Sequence, residues 1–344
     1  MNIIDKPILS IVVPVYNVGT ALDCCMNSLF VKQAFKSFEV ILIDDGSTDD
    51  SGQRCESWGK KDSRVKVIHQ KNQGQSVARN AGIRAAQGEY VLFVDPDDTI
   101  LASALSEIVN EMTVTKSDVL VLRYMERGPQ GKLLSSSDSD NLPWGTSVLG
   151  NEALLDFFHE KFYGYVWRFC YRLSVITEND ILFPEGRLLE DIDFVYKVLA
   201  CSRQVSFSNI DFYRYQVTVK PVGLEKAMKD CDSSIIFIEE CLRYIDEKKS
   251  DLIPDAAAYC IHVCLHYYAQ TFHYSNDSSL QRSRITLKNF YKKMRHEVKL
   301  WDFPPKVRIA CFLMDIGLFG PLGRFVQLHP WITNPFLFLK GNKK

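Results

Sequence analysis

The sequence contains no run of about 18 uncharged apolar residues, the length that a membrane-spanning helix requires. Its first residues also lack the basic stretch and following apolar run of a secretory signal, so we expect a cytoplasmic protein. Neither sign of charge dominates, because 41 basic residues stand against 42 acidic ones. This balance argues against a general nucleic-acid-binding protein.

A glycine-rich phosphate loop is also missing. The first predicted strand, Ile8–Val13, is followed by neither G-x-G-x-x-G nor G-x-x-x-x-G-K. This absence disfavours a dinucleotide-dependent oxidoreductase, and it leaves a nucleotidyltransferase on a similar sheet as an alternative. Any nucleotide diphosphate that binds here must therefore have its charge neutralised by other groups.

The ten cysteines are scattered along the chain. Thiols stay reduced in the cytoplasm, and we expect most of these side chains to be small buried apolar groups. Cys260, His262, Cys264 and His266 have the composition of a zinc site, but on one helix the cysteines and the histidines point in different directions. We therefore predict core and surface positions there rather than a zinc site.

Short apolar runs alternate with helical patterns in the first half of the chain, which implies right-handed crossovers and a parallel sheet covered on both faces. The segment 126–150 is polar and is predicted to be a loop. Beyond about Pro221 the pattern is helical throughout. We therefore predict an α/β domain over 1–218 and a helical region over 219–344. The predicted strands are Ile8–Val13, Glu39–Ile43, Val65–His69, Tyr90–Val94, Asp118–Leu122 and Val205–Ser208.

Carboxylates directly follow two of these strands. Asp44 and Asp45 follow the second strand, and Asp95, Asp97 and Asp98 follow the fourth. Carboxylates beside apolar strands are costly unless a positive or hydrogen-bonding group meets them, and ligands of parallel sheets bind beyond the carboxyl ends of the strands. Hard oxygen ligands on Asp95 and Asp97 suit one Mg²⁺ or Mn²⁺ that bridges a diphosphate. Asp45 is placed to accept a hydrogen bond from a base imide or a ribose hydroxyl.

Four segments carry a family resemblance, and they stand in the order and spacing of that family. The sequence resembles the family 2 inverting glycosyltransferases of GT-A fold, of the bacterial polysaccharide type, over residues 8–215. The resemblance implies a Rossmann-like, mostly parallel sheet with helices on both faces, here with a C-terminal helical extension. The matching segments are SIVVPVYN at 10–17, VILIDDGSTD at 40–49, NQGQSVARNAG at 72–82 and GEYVLFVDPDD at 88–98.

The resemblance also implies roles for single residues on the donor side. Asp45 would recognise the base, which is most often uracil in this family. Asp97 would meet the metal, Asp95 the ribose or the metal, and Asp98 would lie near the donor sugar. Residues of the nucleotide pocket and of the segment that covers the donor would be Pro14, Tyr16, Asn17, Gly74 and Asn80.

On the acceptor side, Glu190 and Asp191 match the acidic pair of the family, with Asp191 as the base. A metal would stabilise the leaving diphosphate while Asp191 deprotonates an acceptor hydroxyl, which gives a single displacement with inversion. The implied partners are a UDP-sugar and a hydroxyl on a growing glycan or lipid-linked glycan in cell-surface polysaccharide biosynthesis. A sugar-nucleotide-binding subunit without catalysis is the alternative, disfavoured because the carboxylates are present. The donor sugar, the acceptor and the linkage stay open.

The sequence departs from the family pattern at three places. The pair Trp167–Arg168 resembles a Trp-x-Lys element but has Arg168 at its second position, and Pro96 occupies the middle of D-x-D. After the aromatic–Arg element Tyr213–Tyr215, the usual small-residue turn is replaced by residues 217–220. Arg79, within the third matching segment, is predicted to pair with a carboxylate; contact with a phosphate is the alternative.

The last 44 residues, from Trp301 to Lys344, hold six basic and two acidic residues, so they carry +4 while the remainder carries −5. Apolar residues recur there at helical spacing and aromatic residues are interleaved with the basic ones. This pattern predicts a peripheral contact with the inner face of the cell membrane, and a terminal helix packed on the catalytic domain is the alternative.

Overall fold

The computed structural model describes residues 6–31, 33–128, 131–137, 142–217, 224–271, 280–299 and 305–316. The chain forms two compact units, and short pieces between 154 and 189 belong with the C-terminal helices rather than with the sheet. The first unit consists of Met1–Ala153, Gly164–Gly186 and Glu190–Val219, and the second of Leu154–Tyr163, Arg187–Leu189 and Lys220–Lys344.

The first unit is built on a ten-stranded sheet whose main order is β3-β2-β1-β4-β9-β6-β10-β5. Strands β1, β2, β3 and β4 pair in parallel, as the alternating sequence pattern predicts. Strand β9 enters antiparallel between β4 and β6, which makes the whole sheet mixed. The strands are β1 (Leu9–Val15), β2 (Phe38–Asp44), β3 (Val65–His69), β4 (Tyr90–Phe93), β5 (Thr99–Ile100), β6 (Val119–Arg127), β7 (Leu133–Ser136), β8 (Thr146–Leu149), β9 (Phe169–Arg172) and β10 (Gln204–Gln216).

Helices cover both faces of the parallel strands, because successive residues of a strand point to opposite faces. In β2, Val40 and Leu42 join a core with the first helix, whereas Ile41 and Ile43 pack in another cluster with Ala78 of the third. The helices up to residue 201 are α1 (Ala21–Phe30), α2 (Ser51–Lys61), α3 (Gln75–Ala85), α4 (Ala104–Thr115), α5 (Gly150–Phe158), α6 (Leu173–Glu178) and α7 (Glu190–Cys201).

Helix α3 lies directly on β1, and a glycine makes this approach possible. A Cβ atom added at Gly82 would lie 2.2 Å from a methyl carbon of Val12, well inside van der Waals contact. The close packing fixes the position of α3 relative to the end of β1. Arg79, one turn earlier on the same helix, is therefore held at a defined distance from the strand ends.

Two local expectations need correction. The polar segment 126–150 includes β7 and β8, which pair with β6 and β10, so it is only partly a loop. The predicted strand Val205–Ser208 is part of the 13-residue strand β10. Helix α2 begins at Ser51, and the Ser47 and Thr48 side chains that precede it hydrogen-bond to Asn17.

The second unit is helical, as the sequence predicts for the C-terminal region. Its main helices are α8 (Leu224–Lys249), α9 (Ile253–Gln270), α10 (Gln281–Met294) and α11 (Pro305–Asp315). The Tyr291 hydroxyl of α10 joins α11, where it lies 2.8 Å from the Cys311 carbonyl and 2.7 Å from Asp315 Oδ1. Among the helices within the described ranges, none has the length and apolar character to span a bilayer.

Candidate active site

The ends of β1, β2 and β4 meet at one edge of the sheet, because these strands run parallel. A cavity of about 290 Å³ lies at this edge. It is lined by Pro14, Val15, Tyr16, Val18, Asp45, Asn72, Gly74, Gln75, Ala78 and Pro96. The structure thus brings together four of the residues predicted for nucleotide contact, namely Pro14, Tyr16, Asp45 and Gly74.

Asp45 is buried and is the acceptor of three hydrogen bonds. Its Oδ1 accepts from Gln70 Nε2 at 2.7 Å and from the Gln73 backbone N–H at 3.0 Å, and its Oδ2 accepts from the Gly74 N–H at 2.8 Å. Gly74 adopts a φ of 93°, which favours glycine. Asp45 therefore orders the loop that forms one wall of the cavity, and its contact with a base stays a prediction.

Tyr16 and Asn17 follow β1 and have different surroundings. Tyr16 is 47% exposed on the cavity wall, where an aromatic ring can stack on a flat base. Asn17 has a left-handed backbone, with a φ of 50°, and its Oδ1 accepts from the Thr48 N–H at 2.8 Å. Asn17 thus ties the end of β1 to the loop after β2, and it does not line the cavity itself.

Negative charge accumulates after β4. Asp98 is buried, its Oδ1 accepts from the Gln216 N–H at 2.7 Å, and its Oδ2 has no hydrogen-bond partner within the described ranges. Burial raises the pKa of Asp98 to about 8, the Gln216 N–H opposes this shift, and the carboxylates of Asp95 and Asp97 add to it. Asp97 is exposed.

The donor set after β4 fits a hard divalent cation, because it offers carboxylate oxygens with an excess of negative charge. Asp95 and Asp97 supply two carboxylates, and an ion would also relieve the repulsion felt by Asp98. In the part of the chain that the structure describes, no three His, Cys, Asp or Glu side chains are grouped to hold a metal ion alone. An ion here would therefore need further oxygen ligands from a bound molecule.

Arg79 of α3 joins two parts of the site that lie far apart in sequence. Its guanidinium is 1% exposed, and its Nη2 donates to Asp95 Oδ1 at 3.0 Å. Its Nη1 donates to Asp191 Oδ1 and lies 3.7 Å from Glu190 Oε1. We call Arg79, Asp95, Glu190 and Asp191 the arginine cluster. Sequence reasoning paired Arg79 with one carboxylate but missed that it holds the D-x-D segment and the acidic pair together.

Asp191 lies in the first turn of α7, where the helix dipole favours a carboxylate. Burial raises its pKa to about 7; the Arg79 guanidinium opposes this shift, and the carboxylates of Glu190 and Asp95 add to it. The Val166 backbone N–H lies 3.4 Å from Asp191 Oδ2. A carboxyl group whose pKa is near neutrality suits a general base, because it is both ionised and basic at working pH.

Asn80 is predicted to contact the donor, but in this structure its side chain is buried and fully engaged with Phe183. Its Nδ2 donates to the Phe183 carbonyl at 2.9 Å, and its Oδ1 accepts from the Phe183 N–H at 2.8 Å. This pair of bonds fastens the segment that precedes α7 to α3. The direct role of Asn80 toward a donor stays a prediction.

An aromatic stack supports the D-x-D segment from the other side. Trp167 stacks on Tyr213 with ring centroids 4.3 Å apart and planes inclined by 6°. The Tyr213 hydroxyl accepts a hydrogen bond from the Asp95 N–H at 2.9 Å. Arg168 is buried, and its Nε donates to the Leu122 carbonyl at 3.2 Å, which is a structural contact. The family elements at 167–168 and 213–215 suggested these residues, but their stacking could not be read from the sequence.

Comparisons with known proteins bear on the family of the chain. A family model described as Glycosyl transferase family 2 matches residues 10–166. EpsJ of Bacillus subtilis, an uncharacterized glycosyltransferase, is 30% identical over 240 residues, which are 67% of this chain and 70% of the relative. The glycosyltransferase GlyG of Streptococcus pneumoniae is 39% identical over 221 residues, which are 61% of this chain and 70% of the relative.

Among solved structures, that of S. aureus TarS 1–349 in complex with UDP-GlcNAc superimposes with a TM-score of 0.67. The identity is 22%, and the alignment covers 94% of this chain and 91% of TarS 1–349, so the likeness concerns the fold. The predicted GT-A fold with a C-terminal helical region is confirmed. With a relative matched over more than two thirds of its length and the strand-end carboxylates in place, the chain belongs to glycosyl transferase family 2.

Proposed function

We propose that this enzyme transfers a sugar from a UDP-sugar to a hydroxyl group of a glycan or lipid-linked glycan, with inversion and with help from Mg²⁺ or Mn²⁺. The observation that carries the proposal is the arginine cluster. One buried guanidinium holds Asp95 of the D-x-D segment and Asp191 of the acidic pair beside a cavity lined by Tyr16 and Asp45. Donor-side and acceptor-side groups are thereby assembled in one place.

The donor side would use the cavity of about 290 Å³. Tyr16 would stack on the base, and Asp45 would orient it through the loop that it already orders. The complex of TarS with UDP-GlcNAc supports a uridine nucleotide as the first donor to test. Asp95 and Asp97 would hold the divalent ion, which when bound supplies charge stabilisation for the leaving diphosphate.

The acceptor side would use Asp191 as the proton acceptor. The acceptor oxygen forms a bond to the anomeric carbon while the bond between that carbon and the diphosphate oxygen breaks. The proton of the acceptor hydroxyl passes to Asp191, and the electron pair of the broken bond leaves with the diphosphate. One displacement of this kind inverts the anomeric carbon, because attack and departure occur on opposite faces.

The first experiment is a screen of donor binding by calorimetry and of donor hydrolysis, with uridine, guanosine and thymidine diphosphate sugars, each with Mn²⁺ or with EDTA. We expect a uridine nucleotide to bind and to be hydrolysed in the presence of the ion only. The Asp97→Asn variant should lose donor affinity and turnover together, since it removes an oxygen ligand from an exposed position.

Three results of this screen would contradict parts of the proposal. Equal donor affinity and turnover with Mn²⁺ and with EDTA would show that the mechanism does not need a metal ion. Preference for another base would remove the assignment of uracil. Tight donor binding with no hydrolysis or transfer to any acceptor tested would favour the alternative of a sugar-nucleotide-binding subunit.

The proposed site of action is the inner face of the cell membrane, where a lipid-linked glycan would be available. Of the tail on which this expectation rests, residues 301–304 and 317–344 lie outside the described ranges. Helix α11 is described, and it shows features of both alternatives. Val307, Ala310, Cys311 and Met314 are buried, as in a packed helix, while an opposite set of apolar residues is exposed.

A further inference from the structure

The helices of the second unit are divided by charge. Residues 280–299 and 305–316, which we call the basic helix pair, contain nine basic and two acidic residues and carry +7. Residues 224–271, the acidic helix pair, contain five basic and nine acidic residues and carry −4. Helix α10 itself has five basic residues and no acidic one. Positive charge is therefore concentrated in one part of this unit.

Exposed apolar side chains lie in the same part. On α11, Ile309, Phe312 and Ile316 are 57%, 53% and 53% exposed, and their spacing places them on one face of the helix. On α10, Ile285 is 54% exposed in a stripe that also contains Arg282 and Lys292. Three large apolar side chains exposed on one face of a helix are unfavourable in water unless another surface covers them.

The two helices are neighbours, so their exposed faces belong to one region of the surface. Tyr291 of α10 contacts Cys311 and Asp315 of α11, and Arg295 Nε lies 3.1 Å from Asp315 Oδ2. These contacts hold α11 by its buried face and leave Ile309, Phe312 and Ile316 exposed. Helix α11 therefore packs on α10 through one face and exposes these three side chains on another.

We propose that the basic helix pair binds the surface of an anionic lipid bilayer. Ile309, Phe312 and Ile316 enter the boundary between headgroups and acyl chains, and Arg282 and Lys292 meet the lipid phosphates. Basic residues next to a narrow apolar face are the chemistry that an anionic interface selects, whereas a neutral interface would not need the charge. This surface lies apart from the strand-end site in sequence, and the proposal does not depend on the sugar transferred.

Sedimentation of the full-length protein with vesicles tests the proposal. The vesicles are phosphatidylcholine alone and an equal mixture of phosphatidylcholine and phosphatidylglycerol. We expect binding to the mixed vesicles that weakens as salt is raised, because salt screens the attraction. The Arg282→Gln/Lys292→Gln variant should lower the binding constant at least about tenfold, and Phe312→Ser by about tenfold.

Matched controls distinguish the effect of this surface from a general effect of losing charge or apolar area. Lys229→Gln/Lys248→Gln removes two positive charges from the acidic helix pair, and Ile236→Ser removes an apolar side chain that is 42% exposed there. Both should bind mixed vesicles like the parent protein. All altered side chains are exposed, and circular dichroism melting checks that each variant is folded.

Several outcomes would overturn the proposal. These are no binding to mixed vesicles, equal binding to neutral vesicles at high salt, or equal losses in the control variants. Light scattering tests for a different partner, namely a second copy of the chain whose acidic helix pair binds the basic helix pair. One result would show that the partner of this surface is a second copy rather than a bilayer. It is the formation of salt-sensitive dimers, abolished in the Arg282→Gln/Lys292→Gln variant, by a protein that does not bind vesicles.

Discussion

Each unit of this protein buries a basic side chain against carboxylates, and the two contacts differ in the number of carboxylates. In the first unit, Arg79 faces Asp95, Glu190 and Asp191. In the second, His262 is 5% exposed and meets Glu160, with the ring Nδ1 2.6 Å from a carboxylate oxygen. One guanidinium among three carboxylates leaves an excess of negative charge that a ligand can neutralise, whereas His262 meets one carboxylate.

On the proposed function, this difference separates a site for chemistry from a contact that supports the fold. Uncompensated buried charge costs stability, and it is retained where binding or catalysis uses it. The raised pKa values of Asp98 and Asp191 have this origin, because burial and neighbouring carboxylates act together on both. Substitutions in the two groups should therefore affect different quantities.

The largest effect is expected from Asp191→Asn, which removes the proposed proton acceptor and keeps the size of the side chain. Turnover should fall by about 10²–10⁴-fold, as is usual when general-base catalysis is lost. Donor affinity by calorimetry should stay close to that of the parent protein. Near-normal turnover would move the base to Glu190 or Asp193, and loss of donor binding would place Asp191 in the nucleotide site.

The pH dependence of kcat/KM tests the same role of Asp191. Because burial raises the pKa of Asp191 to about 7, the proposed base becomes protonated as pH falls through neutrality. Below that pKa, kcat/KM should fall by about tenfold per pH unit, as for a single essential base. A profile that stays flat down to pH values near the ordinary carboxyl pKa would contradict this prediction.

In the second unit, Glu160→Gln should lower stability and leave turnover unchanged. It removes the charged partner of a buried histidine, and we expect a loss of about 1–2 kcal/mol in the free energy of unfolding, since Glu160 is itself partly exposed. Urea denaturation measures the loss, and donor hydrolysis measures turnover. A large loss of turnover in folded protein would erase the distinction between the two ionic groups.

The smallest effect concerns His69, a third ionic contact that is largely exposed. Hydrogen bonds to Glu56 and Asp44 raise its pKa above the ordinary value. A raised pKa gives stability that is present below the unfolded pKa and is lost as pH rises through the folded one. His69→Gln should therefore cost more at pH 5.5 than at pH 8.5, by a few tenths of a kcal/mol because solvent screens the contact. Equal costs at both pH values would exclude this linkage.

The strand-end carboxylates could be predicted because they depend on local sequence. Asp45 and Asp95 follow apolar runs, and parallel strands bring their ends to one edge regardless of the loops between them. The resemblance of four short segments to one family added the roles of the residues. Both kinds of information lie within stretches of about ten residues.

The features that were missed depend on contacts between distant residues. Strand β9 enters the sheet between β4 and β6, although its short sequence gives no sign of its neighbours. The Trp167–Tyr213 stack and the double contact of Arg79 likewise join separate segments. Pairing of this kind is set by three-dimensional packing, which single-sequence patterns do not encode.

The contacts of α3 also bear on the order in which the molecule folds. Arg79 and Asn80 bind partners 112 and 103 positions further along the chain. Closing loops of that length costs conformational entropy, so such contacts form late in folding. We therefore expect the parallel strands to collapse before the arginine cluster exists. The same reasoning makes the cluster vulnerable to local unfolding, in which activity disappears while most of the sheet is still intact.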